Sequence, residues 1–369
     1  MKFFYADLFS DSVSNHIDYG RNKMDQKNNE NFLKQLEQNS MKNYLNRLKN
    51  NDAIFDEIRY PTGFPELDKA LAGGLVAGLH CIGAISSLGK TTFVLQIAEN
   101  MANRGTPVIL FSLEMRPEQL VAKTVSKNMY LAALECADSQ SVDIYHHAKG
   151  YSELMNERNR LAFTKQEQGL YKDSIEKSAS DMLIVSETAD GKPFCIDEIV
   201  DFINTYIAVT KKKPVVIIDY LQFIRPDNLI AGTDKQIMDN IISSLVFTAK
   251  IQRIPIVAIS SLNRGGYDSP VTMASFKESG FIEYSCETML GLQLKGVGTK
   301  DFDVFMVRAK NPREVELVLI KGRGIEVGAV IDYRFYGKHN FFEEVGRSNR
   351  THVYRQSVQE TQSERKRVR

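Results

Sequence analysis

Gly83-Ala84-Ile85-Ser86-Ser87-Leu88-Gly89-Lys90-Thr91-Thr92 decides the fold of this chain. An apolar run, Gly78–Gly83, leads into it, and Phe93, Val94, Ile97, Ala98 and Met101 follow at helical intervals. Strand, loop and helix in that order make a phosphate-binding loop. Successive backbone N–H groups face one concavity, and the helix adds the positive end of its dipole. Ser86, Ser87, Leu88, Gly89, Lys90, Thr91 and Thr92 form the expected binding set for ATP. Gly89 lets the backbone come close, Lys90 is placed to reach the β- and γ-phosphate oxygens, and the Thr91 hydroxyl is placed to hold Mg²⁺. The strict motif asks for Gly where Ala84 stands, with Gly83 one residue earlier, a change that leaves the chemistry intact. The competing reading is a chance Gly-Lys-Thr in an ordinary strand-to-helix turn, and the ordered strand, loop and helix weigh against it.

Such a site needs a carboxylate at a neighbouring strand tip to orient Mg²⁺ through water. Val215-Val216-Ile217-Ile218-Asp219 supplies one, although an Asp there can also cap the next helix. Hydrolysis further needs a group to activate the attacking water. Glu114 ends the run Phe111-Ser112-Leu113-Glu114 on the side of the sheet where α/β ligands bind; the alternative is a solvated Glu at a helix N-terminus.

The 369 residues carry 47 Lys and Arg against 46 Asp and Glu, so the net charge of +1 implies no overall affinity for acidic or nucleic-acid partners. Any basic surface is local. Cys81, Cys136, Cys195 and Cys286 are scattered, match no metal-ligand spacing, and read as reduced core residues. Asp7 and Asp11 follow Met1-Lys2-Phe3-Phe4 at once, and no later apolar run approaches membrane-spanning length, so the expected setting is cytoplasmic, with no membrane.

Three segments are expected. Residues 1–58 read as a helical arm whose Phe32, Leu33, Leu36, Met41, Tyr44, Leu45 and Leu48 recur at helical spacing. Residues 59–345 alternate strand and helix in the manner of a mainly parallel sheet flanked by helices. Strands are predicted over Gly78–Gly83, Val108–Ser112, Met182–Ser186, Val215–Tyr220 and Ile256–Ser260, and helices over Thr91–Asn103, Pro117–Glu135, Ile196–Val209 and Lys235–Ile251. Beyond Ser269, runs at Met289–Leu294, Phe302–Val307 and Val315–Ile320 predict an antiparallel extension. Residues 346–369, rich in Arg, are expected to be a disordered basic tail.

Together, Pro61-Thr62-Gly63-Phe64-Pro65-Glu66-Leu67-Asp68, Gly83–Thr91, Phe111–Met115, Ile218-Asp219-Tyr220-Leu221-Gln222, Ser260–Arg264 and Lys277-Glu278-Ser279-Gly280 resemble the C-terminal ATPase domain of DnaB-type replicative DNA helicases over about residues 60–344. The resemblance implies an α/β, RecA-like P-loop NTPase that assembles as a hexameric ring around single-stranded DNA and translocates by hydrolysing ATP between subunits. It places Lys90 and Thr91 on phosphate and Mg²⁺, Asp219 on the metal and Glu114 as catalytic base, and the family commonly carries Ala where Ala84 stands. Arg308-Ala309-Lys310-Asn311 resembles the family's Lys-x-Arg-Asn element with its basic residues exchanged. Arg308 and Lys310 are thereby candidates to reach a neighbour's γ-phosphate; without the resemblance, two basic residues at spacing two on a strand share a solvated face.

The chain departs from the family at three points. Ser261 stands where a Gln usually senses the γ-phosphate, Lys277 replaces an Arg, and residues 1–58 are too short for the usual primase-docking domain. Loops Arg225–Lys235 and Arg264–Lys277 are the candidate contacts to single-stranded DNA. A loader and primase are conceivable but unidentified partners. The alternative function is a RecA-like, ATP-dependent DNA-binding switch that assembles without unwinding.

Overall fold

The computed structural model describes residues 19–50, 57–85, 87–136, 147–178, 181–225, 232–262, 269–276, 279–299, 301–325 and 327–348. It divides the chain into two compact units, Met1–Glu57 and Ile58–Arg369. In the first, α1 (Tyr19–Gln38) and α2 (Met41–Lys49) are parted at Asn39 and Ser40, and the Ser40 hydroxyl accepts the Asn43 N–H to cap α2. Every apolar residue of the predicted stripe, Phe32 to Leu48, is exposed within this unit.

The second unit opens with α3 (Pro65–Ala70) and β1 (Gly78–Ala84), and α4 (Lys90–Ala102) leads on to β2 (Val108–Ser112). Among the described residues, α5 (Pro117–Cys136), α6 (Tyr151–Leu154), α7 (Glu157–Leu161) and α8 (Lys165–Ser178) follow before β3 (Leu183–Val185). The chain continues through α9 (Ile196–Thr210), β4 (Val215–Asp219), α10 (Asp234–Gln252), β5 (Pro255–Ser261), α11 (Ser279–Ser285) and β6 (Thr288–Leu294). It ends its described part with α12 (Val304–Ala309), β7 (Arg313–Gly322), β8 (Val330–Tyr336) and β9 (Phe341–Arg347). One nine-stranded sheet results, in the order β3-β2-β4-β5-β1-β6-β7-β8-β9. Pairing is parallel from β3 to β6 and antiparallel from β6 to β9. β2 and β4 are buried throughout, as continuous apolar runs covered on both faces should be.

Two expectations are corrected. Phe302–Val307 is not a strand. The Asp303 carboxylate accepts the Phe305 and Met306 N–H groups at 2.8 and 3.0 Å and so caps helix α12, while exposed Phe305 and Met306 offer no face to a sheet. The sheet edge also runs past residue 345. Gly346 and Arg347 pair with Asp332 and Ile331, and Ser348 is buried with its N–H on the Val330 carbonyl at 2.9 Å. The rest of the predicted tail, 349–369, lies outside the described residues. Cys81 and Cys286 are free and buried as expected, whereas free Cys195 is half-buried at the start of α9.

Long-range contacts hold α4 from two sides. Phe64 stacks on Phe93 at 5.2 Å and 6°, and Tyr333 meets both rings edge-on. Gln96 exchanges two 2.9 Å hydrogen bonds with the Phe342 backbone on β9. The Glu344 carboxylate accepts the Glu66 and Leu67 N–H groups at 2.8 and 3.1 Å and the Tyr333 hydroxyl at 2.9 Å, which pins the start of α3 to β9. Asp68 accepts from the Thr62 N–H and hydroxyl, both at 2.7 Å, and from the Gly63 N–H at 3.2 Å. The Pro61–Asp68 motif is therefore a self-capped turn that delivers Phe64 to α4.

Candidate functional site

The loop between β1 and α4 sits at the carboxyl ends of the parallel strands. Ser87 (φ 67°) and Gly89 (φ 83°) are both left-handed, a geometry that turns N–H groups inward. A Cβ on Gly89 would lie 2.8 Å from Cζ of Phe335 and 3.1 Å from Cε2 of Phe342, so only glycine fits there. Leu88 is buried, which leaves only its backbone for a ligand, and Ser86 lies outside the described residues. The Lys90 ammonium donates to the Ala84 carbonyl at 3.1 Å, folded across the loop it closes.

Asp219 ends β4 in register with Ser112 of β2. Burial pushes its carboxyl up to about 6, and nearby Glu114 adds to the shift, while a hydrogen bond from Thr91 and the charges of Lys90 and Lys123 oppose it. Five of the chemistry-bearing side chains therefore share one field. Asp219 Oδ2 is buried with no hydrogen-bond partner among the described residues. The turn carrying exposed Glu114 is anchored to the same strand tip, since the Leu113 N–H donates to the Asp219 carbonyl at 2.8 Å and the Ser112 hydroxyl to the Met115 carbonyl at 2.6 Å.

An unpaired carboxylate oxygen beside a threonine hydroxyl is a hard-oxygen donor set that fits Mg²⁺. Among the described residues no group of three or more His, Cys, Asp and Glu could hold a metal by itself. Phosphate oxygens and water would have to complete such a shell, as they do for Mg²⁺ carried by a nucleotide.

Three polar residues escaped the sequence reading. Lys123 reaches from α5 to the Thr92 hydroxyl at 3.3 Å and to Asn340 Oδ1 at 2.8 Å, with its ammonium 5.4 Å from the Tyr151 ring centroid. Thr92 is buried, its hydroxyl thus turned to the α4–α5 contact. Gln222 places Nε2 3.5 Å from the Ser260 hydroxyl and leaves its buried Oε1 without a partner among the described residues. Arg313 joins the loop through the Ser87 carbonyl at 2.9 Å. Of these, only Gln222 stood inside a recognised motif.

Arg308 and Lys310 do not share a strand face, since Arg308 lies in the last turn of α12 and Lys310 caps its end. Lys310 pairs with Glu314 at 3.2 Å, and the Arg308 carbonyl accepts from Arg313. Of the two predicted DNA loops, 226–231, 264–268 and 277 lie outside the described residues. Arg225 donates its N–H to the Phe194 carbonyl at 2.9 Å and lies 3.5 Å from Glu198. No described helix is long and apolar enough to cross a membrane.

The family model for the DnaB-like helicase C-terminal domain matches residues 60–344. The replicative DNA helicase DnaC of Bacillus subtilis (strain 168) is 26% identical over 291 residues, 76% of this chain and 56% of that protein. DnaB of Geobacillus stearothermophilus is 26% identical over 305 residues, 81% of this chain and 59% of that protein. The chain thus spans a little over half the length of the curated relatives it matches. A solved ATPase domain superposes with a TM-score of 0.65 at 21% identity, covering 82% of this chain and 98% of its own. A DnaB-like replicative helicase, solved in a study of its interactions with primase, gives 0.64 at 22% identity, covering 82% of this chain and 66% of its own. These likenesses establish the fold.

Proposed function

This chain belongs to the family of DnaB-like helicase C-terminal domains, and we propose that it is an ATP-driven DNA helicase motor working as a ring on single-stranded DNA. The left-handed phosphate loop at Ser87 and Gly89, set beside the buried Asp219 carboxylate whose Oδ2 has no hydrogen-bond partner among the described residues, is the observation that carries the reading. Lys90 leaves the Ala84 carbonyl to meet the β- and γ-phosphates, and the loop N–H groups of Ser86 to Thr92 take the remaining oxygens. Thr91 and, through water, Asp219 would hold Mg²⁺ arriving with the nucleotide, which would supply positive charge to offset that of the phosphates. Glu114 stands at the open edge and takes the proton of the attacking water. Arg308 and Lys310 reach the nucleotide of the neighbouring subunit in a homo-hexamer, where a cation stabilises the charge that builds in the transition state. Loops 225–235 and 264–277 are the DNA contacts, and the protein works in the cytoplasm.

A second reading is favoured by Ser261 at the end of β5, whose side chain is too short to extend far toward a γ-phosphate. It makes the chain a DNA-bound, ATP-dependent switch that assembles without unwinding. ATPase rate with and without single-stranded DNA, beside displacement on a forked duplex and light scattering, separates the two. Stimulation with displacement supports the motor, stimulation without displacement the switch, and indifference to DNA defeats both. Lys90→Ala is expected to lose nucleotide binding and hydrolysis together. Glu114→Gln is expected to bind ATP but turn over about 10²–10⁴-fold more slowly; normal turnover in that variant would remove Glu114 from the chemistry.

A further inference from the structure

We infer that Arg313 is a positioning residue that links the chain's own phosphate loop to Arg308, the cation proposed to act on a neighbouring subunit's nucleotide; the inference rests on that finger reading. Arg313 opens β7 directly opposite Phe335 on β8. Its guanidinium lies 6.0 Å from the Phe335 ring centroid, at the outer reach of a cation–π contact. Nη1 donates to the Ser87 carbonyl at 2.9 Å, and Nε and Nη2 donate to the Arg308 carbonyl at 3.2 and 3.0 Å. One rigid planar group is therefore shared between the left-handed step of the phosphate loop and the last turn of α12.

The same Phe335 ring occupies the space that a Cβ on Gly89 would need. Phe335 thus touches the loop at Gly89 and steers the arginine that touches it at Ser87. A loop that shifts to admit phosphates moves the Ser87 carbonyl, and Arg313 transmits that shift to the backbone from which Arg308 projects. Burial lowers the Arg313 pKa and the neighbouring Arg308 charge adds to this, so the Arg313 fork holds the Arg308 backbone carbonyl while its charge lies within reach of the Arg308 guanidinium. A lysine keeps the charge but brings a single ammonium that cannot bridge two carbonyls in a fixed plane.

The test compares Arg313→Lys, Arg308→Ala and the double variant in the full chain, using steady-state ATPase, affinity for a fluorescent ATP analogue, and light scattering. Arg313→Lys is expected to keep assembly and analogue affinity within about threefold, while kcat falls about tenfold or more. Its ATP dependence is also expected to lose cooperativity between subunits. If Arg313 acts through Arg308, the double variant is no slower than Arg308→Ala alone, whereas a role confined to its own loop or to the fold would make the losses multiply. Multiplying losses, or an Arg313→Lys chain with unchanged kcat and cooperativity, overturn the inference while leaving the finger in place. Normal turnover in Arg308→Ala removes the finger reading, and the link with it.

Discussion

Asp219 sets stability against chemistry in one side chain. Its carboxyl, raised from 3.8 to about 6 chiefly by burial, binds a proton more readily in the folded than in the unfolded chain. Stability contributed by this group is therefore greatest below about pH 4, declines as pH rises through about 6, and stays low above it, a penalty of about 3 kcal/mol. Asp219→Asn should resist urea better than the parent at neutral pH, and the gap between them should widen between about pH 5 and about pH 8. Hydrolysis of Mg-ATP should be lost in the same variant. A gap that does not change with pH would show that the buried charge is compensated by something other than the groups around it.

At the scale of elements, α4 is the helix whose placement decides the site, and its entry residue is the most constrained. Gly89→Ala must place a Cβ against the Phe335 and Phe342 rings, themselves stacked at 4.4 Å and 17°, while keeping a φ of 83°. Left-handed strain and overpacking together should cost about 2–4 kcal/mol, with part regained when Phe335→Leu is added. Urea unfolding of the single and double variants checks this, and a single variant as stable as the parent would show that the loop rests on nothing. The parallel strands were legible in the sequence because each is one apolar run covered on both faces, and the predicted ends fall within about two residues of those observed. β8 was missed because Asp332 and Arg334 interrupt Val330–Tyr336, although the buried positions alternate with open ones as a half-covered strand requires. α6, α7 and α8 were missed because their residues are mainly polar. In the site, Lys90, Thr91, Asp219 and Glu114 were legible because strand tips and a glycine turn mark them locally. Lys123 and Arg313 act across long sequence separations, from α5 and β7, and no local pattern announces such contacts.

The whole molecule has a first unit whose apolar residues stay exposed and a second whose nucleotide loop leans on its own C-terminal strands. The arm was legible as helices because spacing is a local signal, while what covers its stripe is not encoded in that spacing. The clamp that Gln96 makes on Phe342 joins positions 246 residues apart, and this sets an order of events during synthesis. A ribosome adding about 5–20 residues per second needs roughly 10–50 s between emitting the phosphate loop and emitting its last support. Throughout that interval the nascent chain carries a nucleotide motif without the scaffold that shapes it. Stalled chains of increasing length should capture a fluorescent ATP analogue only after Phe341–Arg347 has left the exit tunnel, and capture by a shorter chain would show that the loop forms unaided. Such a delay would leave the unfinished chain without a shaped phosphate loop until its sheet is closed.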